Sequence, residues 1–303
     1  MNSFKHVREN LDERIRRLRD ATAATRGPAP DVSGDCQGTG WIVRKENGNN
    51  RAHRCECWIR EKTGKLKQRT GIPRRYTRCT FDNFTLYPNE RLERAFRRSR
   101  DFATTFPVRQ NGLLLAGPSG IGKTHLATAI LNDCADKGIG GLYCETATLL
   151  TELRSTYEKG SRTQDTEILR RLSKADLLVL DNLGSEHLTR WGQDMLHIVL
   201  NARYNQDRAT ICTTRLPPCP HERDSLLFEI GKRLLSILLQ MCDVVEFDGA
   251  DYRHAGNHPD TYTLQQLWRA RKRQASTPTP RTHFAPLDPV HSHRPTPRAS
   301  DVS

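Results

Sequence analysis

The sequence of 303 residues predicts an α/β fold in which a parallel five-stranded sheet is covered by helices on both faces. Three observations predict it. From Gly112 onward the chain contains five short β runs, helical stretches separate them, and the first run, 113–116, is wholly apolar. Short apolar runs that alternate with helices indicate βαβ units. The chain is also long enough to bury a core without disulfides.

The predicted elements of this α/β region follow one another in a regular order. The strands are predicted over residues 113–116, 142–145, 177–180, 209–213 and 244–247. Helices are predicted over 86–106, 123–136, 148–158 and 191–204, with a further helix before the last strand. We expect the first helix, 86–106, to lie over the sheet domain.

The first thirty residues are predicted to form a separate amphipathic helix and a linker. Their apolar residues recur at helical spacing and form one narrow stripe: Phe4, Val7, Leu11, Ile15 and Leu18. Gly27 and the prolines at 28 and 30 end the helix. Such a helix either docks on a partner protein or packs on its own domain. We predict a partner-binding segment over 1–30.

The uneven distribution of charge divides the chain into a basic amino-terminal part and a slightly acidic middle part. Residues 1–100 contain 24 lysines and arginines against 12 acidic residues, whereas 101–264 contain 17 against 21. We therefore predict a basic, cysteine-containing module over 31–80 and a globular domain over 81–262. Residues 263–303, which are rich in proline and basic residues, are predicted to be a disordered tail. Basic ends of this strength indicate a polyanionic partner such as nucleic acid.

Several classes of protein are excluded by composition. The apolar runs, such as 177–180, are far shorter than the roughly 18 residues that a membrane span needs. The amino terminus has no apolar core of a secretory signal. Nine cysteines at irregular spacing favour thiols or metal ligands in a reducing compartment. We expect a soluble cytoplasmic protein with no membrane partner.

The glycine-rich turn after the first strand predicts a phosphate-binding loop. It matches the pattern G-x-x-x-x-G-K-[ST] and lies between a strand and a helix, as the motif requires. The backbone N–H groups of such a loop and the helix N-terminus bind phosphate oxygens. Lys123 is expected to reach the β- and γ-phosphates of ATP, and the Thr124 hydroxyl to ligate Mg²⁺. The candidate ATP-binding residues are Gly117, Pro118, Ser119, Gly120, Ile121, Gly122, Lys123 and Thr124.

Asp181 is the second candidate ligand of the magnesium ion. It ends the apolar run 177–181, where a carboxylate is placed to hold the Mg²⁺ shell. One predicted strand and helix lie between the loop and this run, as in ATPases with an additional central strand. Asp181 is therefore assigned to both the catalytic and the metal-binding residues.

An ordered set of motifs resembles the DnaC/IstB-like AAA+ ATPases, which include bacterial replicative helicase loaders and transposase helper ATPases. The resemblance covers roughly residues 31–255. Besides the phosphate-binding loop, the motifs are Cys-Gln-Gly-Thr-Gly-Trp at 36–41, Cys-Glu-Cys at 55–57, Ile-Pro-Arg-Arg-Tyr at 72–76, Cys-Thr-Phe-Asp-Asn-Phe at 79–84, Leu-Leu-Val-Leu-Asp at 177–181, Leu-Gly-Ser-Glu at 183–186, Asn-Ala-Arg-Tyr at 201–204 and Asp-Tyr-Arg at 251–253.

The resemblance implies ATP-controlled binding to single-stranded DNA and to a partner protein, usually the hexameric replicative helicase. It also implies self-association or co-assembly, because AAA+ sites usually form between subunits. Within the lid motif, Arg253 would be the sensor that touches the γ-phosphate.

Three positions depart from the family pattern at residues that serve hydrolysis. Asn182 replaces the usual acidic residue that activates the attacking water, and an amide cannot accept its proton. Arg215 aligns with the polar sensor of the fourth strand, and Ile237 with the arginine finger, whose loss typically costs about 10³ in turnover. Glu186 is the candidate to assist the water, and Arg233 or Arg215 to replace the finger. These departures favour ATP binding with weak or absent hydrolysis.

The cysteine module resembles a zinc ribbon with one ligand replaced. Relatives carry C-x-x-C…C-x-C, whereas here Ser33 stands at the first position before Cys36, Cys55 and Cys57. A neutral serine hydroxyl is a poor Zn²⁺ ligand. We predict a zinc site in which Cys79 or His53 supplies the fourth donor, and the alternative is a set of reduced, metal-free thiols.

Basic and aromatic residues are interleaved between positions 41 and 78, a pattern typical of sequence-tolerant single-strand binding. The basic residues are Arg51, Arg54, Arg60, Lys62, Lys65, Lys67, Arg69, Arg74, Arg75 and Arg78, and the aromatic ones Trp41, Trp58 and Tyr76. The sequence thus predicts an ATP- and DNA-binding loader or adaptor for a replicative helicase. A transposase helper, a nucleotide-gated adaptor without hydrolysis and a decaying gene copy remain alternatives.

Overall fold

The computed structural model describes residues 36, 38–46, 49–108, 111–158, 162–185, 187–218, 225–256 and 259–276. The predicted partner-binding helix of residues 1–30 therefore lies outside the described residues, as do Ser33, Glu186 and residues 277–303. Within the described residues, none of the helices is both long enough and apolar enough to cross a membrane.

The basic module contains a hairpin and a helix. Strands β1 (Trp41–Glu46) and β2 (Asn49–Arg54) pair antiparallel, with Trp41 opposite Arg54. Helix α1 (Glu56–Arg69) follows and buries none of its residues completely. The backbone of Thr70 then joins the module to the domain, since Tyr143 N–H donates to Thr70 O at 2.6 Å. The sequence predicted the module but none of these elements.

Helix α2 (Glu90–Thr105) confirms the predicted helix over 86–106 and begins at a capping residue. The Asn89 side chain accepts from the N–H groups of Arg91 and Leu92 at 3.1 and 3.3 Å, and its own amide donates to Asp248 O. Such a cap satisfies N–H groups that have no partner within the helix. The second bond fixes the start of α2 to the loop after the last strand.

The central sheet has the predicted class. Strands β3 (Gly112–Ala116), β4 (Gly141–Glu145), β5 (Leu177–Asp181), β6 (Thr210–Thr214) and β7 (Cys242–Glu246) are all parallel, in the order β4-β5-β6-β3-β7. Each begins and ends within two residues of its predicted bounds. Strand β6 lies between β3, which leads into the phosphate-binding loop, and β5, which ends at Asp181. Both motifs therefore meet at the carboxyl edge.

Helices connect the strands. They are α3 (Lys123–Asp136), α4 (Thr146–Glu158), α5 (Arg162–Lys174), α6 (Arg190–Tyr204), the short α7 (Leu226–Ile230) and α8 (Lys232–Met241). The sequence analysis did not predict α5. A short 3₁₀ helix, Tyr252–Ala255, follows the sheet.

Two apolar clusters fill the two faces of the sheet. Successive residues of a strand point to opposite faces. Leu113 and Leu115 accordingly belong to the cluster under α2 and α3, whereas Leu114 belongs to the cluster under α6 and α8. All five residues of β3, β5 and β6 are buried. This explains why residues 113–116 of β3 and 177–180 of β5 are apolar without alternation.

The last helix, α9 (Thr261–Ser276), corrects the predicted boundary of the tail. The sequence analysis assigned residues 263–303 to a disordered tail, yet 263–276 are helical. Trp268 holds the helix in place, because its Nε1 donates to the Asp248 carboxylate at 3.3 Å and its ring packs beside Tyr87. Arg271 adds a bond to Gly249 O at 2.7 Å. These partners lie close in space but far from the helix in sequence.

Candidate nucleotide-binding site

The phosphate-binding loop has a backbone that requires glycine. Gly120 and Gly122 have φ values of +75° and +96°, in the left-handed region that residues with a Cβ rarely adopt. A Cβ at Gly120 would overlap the Asp251 carboxylate, and one at Gly122 would clash with the Phe84 ring. Both glycines therefore allow flanking segments to lie directly against the loop.

Lys123 is the first residue of α3 and is almost fully buried. Its ammonium group donates to Gly117 O at 2.7 Å and Pro118 O at 2.6 Å. The pKa of Lys123 is lowered to about 8, chiefly by burial and also by the positive charge of Arg253, although the negative charges of Asp181 and Asp251 oppose the shift. The Lys123 ammonium group, which the sequence predicts to bind phosphates, thus lies directly against the loop.

Thr124 and Asp181 meet as the magnesium prediction requires. The Thr124 hydroxyl donates to Asp181 Oδ1 at 2.9 Å and lies 3.2 Å from Oδ2. A hydroxyl and a carboxylate beside a phosphate-binding loop are hard oxygen ligands of the kind that Mg²⁺ takes. The donor set therefore fits Mg²⁺ bound together with a nucleotide.

Two further hydroxyls hold Asp181, and sequence analysis missed both. Tyr143 from β4 donates to Oδ2 at 2.8 Å, and Thr213 from β6 donates to Oδ1 at 2.6 Å. Burial, reinforced by the Asp181 charge, raises the pKa of Tyr143 well above its ordinary value, so its hydroxyl remains protonated. The available signal was position, because polar residues near the carboxyl ends of neighbouring parallel strands converge.

The lid motif docks on the loop. Tyr252 N–H donates to Gly120 O at 2.9 Å, and Arg253 N–H donates to the Asp251 carboxylate at 2.9 Å. Arg253 is exposed, on the same side as the buried ammonium group of Lys123 whose pKa it influences. The segment that carries Arg253 thus lies against the phosphate-binding loop, and the role of this arginine as sensor stays a prediction.

The position of Asn182 has a backbone explanation. Its φ is +62°, and its N–H donates to the Thr213 hydroxyl at 2.9 Å. Asparagine tolerates this left-handed conformation better than other residues that carry a Cβ. The Asn182 side chain is exposed at the end of β5, next to Asp181. An amide thus occupies the place expected for the acid that activates water.

The other two positions that depart from the family pattern, Arg215 and Ile237, have different surroundings. Arg215 is exposed and donates to Ser185 O at 3.3 Å, so it bridges the ends of β5 and β6. Ile237 is half-buried and packs against the apolar cluster under α6 and α8, whereas Arg233 on the same helix is exposed. Position 237 therefore serves packing, and the cations that α8 presents to solvent are Lys232 and Arg233.

Three of the four predicted zinc ligands come together. The sulfurs of Cys36, Cys55 and Cys57 lie within 4.8 Å of one another, with Cys57 Sγ 3.1 Å from Cys36 Sγ and 3.2 Å from Cys55 Sγ. Hydrogen bonds from Cys57 and from the backbone N–H groups of Gly40 and Gly38 lower the pKa of Cys36 to about 7, while the contacts with Cys36 and Cys55 raise the pKa of Cys57 to about 12, so Cys36 is the thiol of the cluster that ionises first. A thiol that ionises easily is suited to a metal. The cluster fits three positions of a tetrahedral zinc site.

Cys79 does not join this cluster, which corrects its assignment as a zinc ligand. It is buried over α3, where Asn132 donates to its carbonyl at 2.9 Å, and burial raises the pKa of its thiol. His53, the other candidate for the fourth position, is likewise absent from the described cluster. Both predictions failed because sequence proximity does not determine which side chains meet.

The basic module stacks its tryptophans on an arginine. The Arg54 guanidinium lies 3.6 Å from the ring centroid of Trp41 and 4.0 Å from that of Trp58. Lys62 Nζ lies 5.3 Å from the Trp58 ring. Trp41 remains 46% exposed. Cation–π contacts of this kind hold the aromatic and basic groups on one surface.

A five-stranded parallel sheet, a phosphate-binding loop and a facing carboxylate define a P-loop nucleotide-binding protein of the AAA+ type. The sequence profile of the family described as IstB-like ATP binding protein matches residues 89–258. This is more than half of the chain, and the protein belongs to this family.

Two of the curated proteins that this chain is similar to are replicative helicase loaders. The replicative helicase loader DnaC of Escherichia coli (strain K12) is 27% identical over 171 residues, 55% of this chain and 68% of that protein. DnaC of Buchnera aphidicola subsp. Baizongia pistaciae is 27% identical over 149 residues, 49% of this chain and 60% of that protein. The chain thus spans about three-fifths of the Buchnera protein.

Among solved structures, the crystal structure of the DnaC helicase loader is 30% identical with a TM-score of 0.52. The match covers 58% of this chain and all of that one. The replication initiator DnaA bound to AMPPCP and single-stranded DNA is similar in fold, with 18% identity, a TM-score of 0.51 and coverage of 67% of this chain and 64% of that one. The AAA+ fold predicted from sequence is confirmed.

Proposed function

We propose that this protein is a cytoplasmic ATP-binding loader or adaptor for a replicative DNA helicase. The observation that carries the proposal is the match to the whole chain of the DnaC helicase loader structure at 30% identity. The family match over residues 89–258 includes the phosphate-binding loop and the Asp181 carboxylate that faces it. We infer a helicase as the partner because these relatives are described as replicative helicase loaders.

The nucleotide site supports binding of Mg²⁺ and ATP with named roles. The loop N–H groups and the Lys123 ammonium bind the phosphate oxygens, while Thr124 and Asp181 hold Mg²⁺. Bound Mg²⁺ would offset negative charge on the β- and γ-phosphates. Arg253 lies on the segment that docks on Gly120 and is proposed to contact the γ-phosphate. A second copy or the partner completes the site in this proposal.

Binding of single-stranded DNA belongs to the same proposal. The exposed tryptophan, the stacked Arg54 and the basic residues of α1 support it, because cations neutralise phosphates and aromatic rings stack on bases. Zn²⁺ held by the three-cysteine cluster is proposed to stabilise the hairpin that presents these groups, and its fourth ligand comes from outside the described residues or from solvent.

The experiment mixes the protein with the replicative helicase encoded in the same genome and measures complex mass with ATP, ADP or no nucleotide. We expect a complex in the presence of ATP that Lys123→Ala weakens. Failure to form a complex in every nucleotide state would overturn the loader proposal. A complex with a transposase of that genome instead would support the transposase-helper alternative.

A second function, a nucleotide-gated adaptor without hydrolysis, is favoured by Asn182. Phosphate release distinguishes the two when it is measured with and without single-stranded DNA on the wild type and on Asn182→Glu. Turnover that appears only in Asn182→Glu supports the adaptor, and Asn182→Gln is the matched control that supplies no base. DNA-stimulated turnover by the wild type excludes it and assigns the task to another group, with Glu186 as the candidate.

A further inference from the structure

A second cleft lies at the sheet edge opposite the phosphate-binding loop. It has a volume of about 500 Å³ and opens between the carboxyl ends of α1 and α5. Leu66, Gly140 and Gly141 are among its lining residues, with Arg69 on one wall and Arg171 and Lys174 on the other. It is thus separate from the ATP site, and of its basic residues only Arg69 belongs to the basic and aromatic pattern predicted between positions 41 and 78.

The cleft carries unbalanced positive charge. Arg170 is paired with Glu167 at 2.7 Å, and Asp176 with Arg208 at 3.6 Å, so these charges are matched locally. Arg69, Arg171 and Lys174 are exposed, and none has an ion-pair partner among the described residues. Three cations therefore face the same space.

The negative carboxyl ends of the helix dipoles offset only part of this positive charge. Basic residues are favoured in the last turn of a helix, and Arg69, Arg171 and Lys174 all occupy such positions. Each helix end contributes about half a negative charge, so two ends offset roughly one of the three cations. The remaining charge is available to an anion.

The wall formed by α5 is fixed rather than mobile. Arg203 is fully buried and donates to Leu172 O and Ala175 O, both at 2.8 Å. It also donates to the Thr210 hydroxyl at 2.9 Å, which ties the end of α5 to β6. The backbone that carries Arg171 and Lys174 is therefore held in place before any ligand arrives.

The lining indicates what kind of anion the cleft takes. None of the lining residues is aromatic, so the cleft offers charge without a stacking surface for bases. Arg69 follows Trp58 by three turns of α1, so it lies about 16 Å further along the helix and on nearly the same face as the tryptophan that stacks on Arg54. A chain of phosphates that leaves a stacking surface would meet these cations next.

We propose that this cleft binds the phosphodiester backbone of single-stranded nucleic acid, extending the contact that begins at the hairpin. The inference rests on the DNA binding of the proposed function and adds a site that includes α5. Contacts with phosphates alone carry no sequence information, so the cleft contributes affinity without base preference.

The test compares two triple variants of the full-length protein. The cleft variant is Arg69→Gln/Arg171→Gln/Lys174→Gln. The matched control is Arg94→Gln/Arg97→Gln/Arg100→Gln, which removes the same charge from the exposed face of α2. Fluorescence anisotropy of a labelled 20-nucleotide DNA strand is measured across a series of KCl concentrations, and a fluorescent ATP analogue verifies that each variant retains its nucleotide site.

Single-strand binding loses about 0.7 in the slope of log K against log salt for each phosphate contact removed. We expect the slope of the cleft variant to fall by about 2 relative to the wild type and the affinity to fall at least tenfold, while the control keeps the wild-type slope. Equal slopes and affinities for the two variants would overturn the proposal.

Three other outcomes are distinguishable. Titration with inorganic phosphate at constant ionic strength tests a small-anion site, and loss of phosphate binding with unchanged DNA binding overturns the nucleic-acid assignment. If the wild type itself binds no DNA while it binds ATP and the helicase, DNA binding fails and the loader proposal stands. If DNA binding is intact in every variant, the cleft alone is refuted.

Discussion

The Thr213 hydroxyl connects the last residue of strand β5, Asp181, with Asn182, the residue that follows it. It donates to Asp181 Oδ1 at 2.6 Å and accepts from Asn182 N–H at 2.9 Å. Thr213 and Asp181 are only 2% and 6% exposed, so water cannot easily replace either bond. One side chain of β6 thus holds both the carboxylate of the candidate magnesium site and the turn that follows it.

Thr213→Val should therefore lower the free energy of unfolding by about 1–3 kcal/mol. The substitution leaves a buried N–H and a carboxylate oxygen without this partner, and unsatisfied buried groups cost that much. Thr213→Ser keeps the hydroxyl and should cost less. Urea denaturation of both variants checks this, and a loss in Thr213→Ser as large as that in Thr213→Val would contradict the role assigned to the hydroxyl.

Lys123 predicts a pH dependence of nucleotide binding. Because burial lowers its pKa to about 8, the ammonium group loses its proton above this pH in the free protein. We expect the Kd for ATP to rise with pH from about 8 upward, by at most tenfold per pH unit. Titration with a fluorescent nucleotide between pH 7 and 9.5 measures it. Lys123→Ala should bind weakly throughout and show no such rise.

The lowered pKa of Lys123 also makes the stability of the folded protein depend on pH. The unfolded chain holds the Lys123 proton up to a pH near 10.5, whereas the folded protein releases it near 8. Between these values the unfolded state binds more protons, so this group makes the free energy of unfolding increase with pH. The Lys123→Ala variant should lack that contribution in denaturation curves measured from pH 7.5 to 10.

Asn182 should tolerate glycine better than alanine. Its φ of +62° disfavours a residue with a Cβ by about 1–2 kcal/mol, a cost that asparagine reduces and glycine avoids. Asn182→Ala is expected to lose about 1 kcal/mol of unfolding free energy, and Asn182→Gly to be neutral or more stable. Chemical denaturation that ranks glycine below alanine would contradict this explanation of the turn.

The cysteine cluster predicts zinc content. Purified protein should hold about one Zn²⁺ per chain by atomic absorption, and Cys57→Ser should lose it because a hydroxyl replaces a thiolate ligand. Cys79→Ala is the control, since Cys79 lies apart from the cluster, and it should retain the metal. Loss of zinc in both variants would return Cys79 to the ligand set, and absence of zinc in the wild type would favour metal-free thiols.

The features of the fold and of the nucleotide site that depend on neighbouring residues in the chain were predictable from sequence. The phosphate-binding loop and Asp181 follow from strand ends and turn residues that are close together in the chain. The strand bounds follow likewise, because β3, β5 and β6 are buried on both faces and their residues are almost all apolar or small. Parallel pairing then brings the motifs to one edge without further information.

The parts that failed depend on contacts between distant segments. Tyr143 and Thr213 reach Asp181 from neighbouring strands, 38 and 32 residues away in sequence. The extension of α9 depends on Trp268 finding Asp248 across a turn of the chain. Cys79 was grouped with the other cysteines by residue type, although its surroundings are those of a core residue. Pattern and composition do not specify such partners.

The contact between Thr124 and Asp181 gives the most direct test of the account. A fluorescent ATP analogue is titrated into the wild type and into Asp181→Asn, with Mg²⁺ and with EDTA. We predict tight binding by the wild type that weakens at least tenfold in EDTA, and binding by Asp181→Asn that is weak and indifferent to Mg²⁺. Binding that is unaffected by both EDTA and the substitution would contradict the assignment of this pair to a magnesium–nucleotide site.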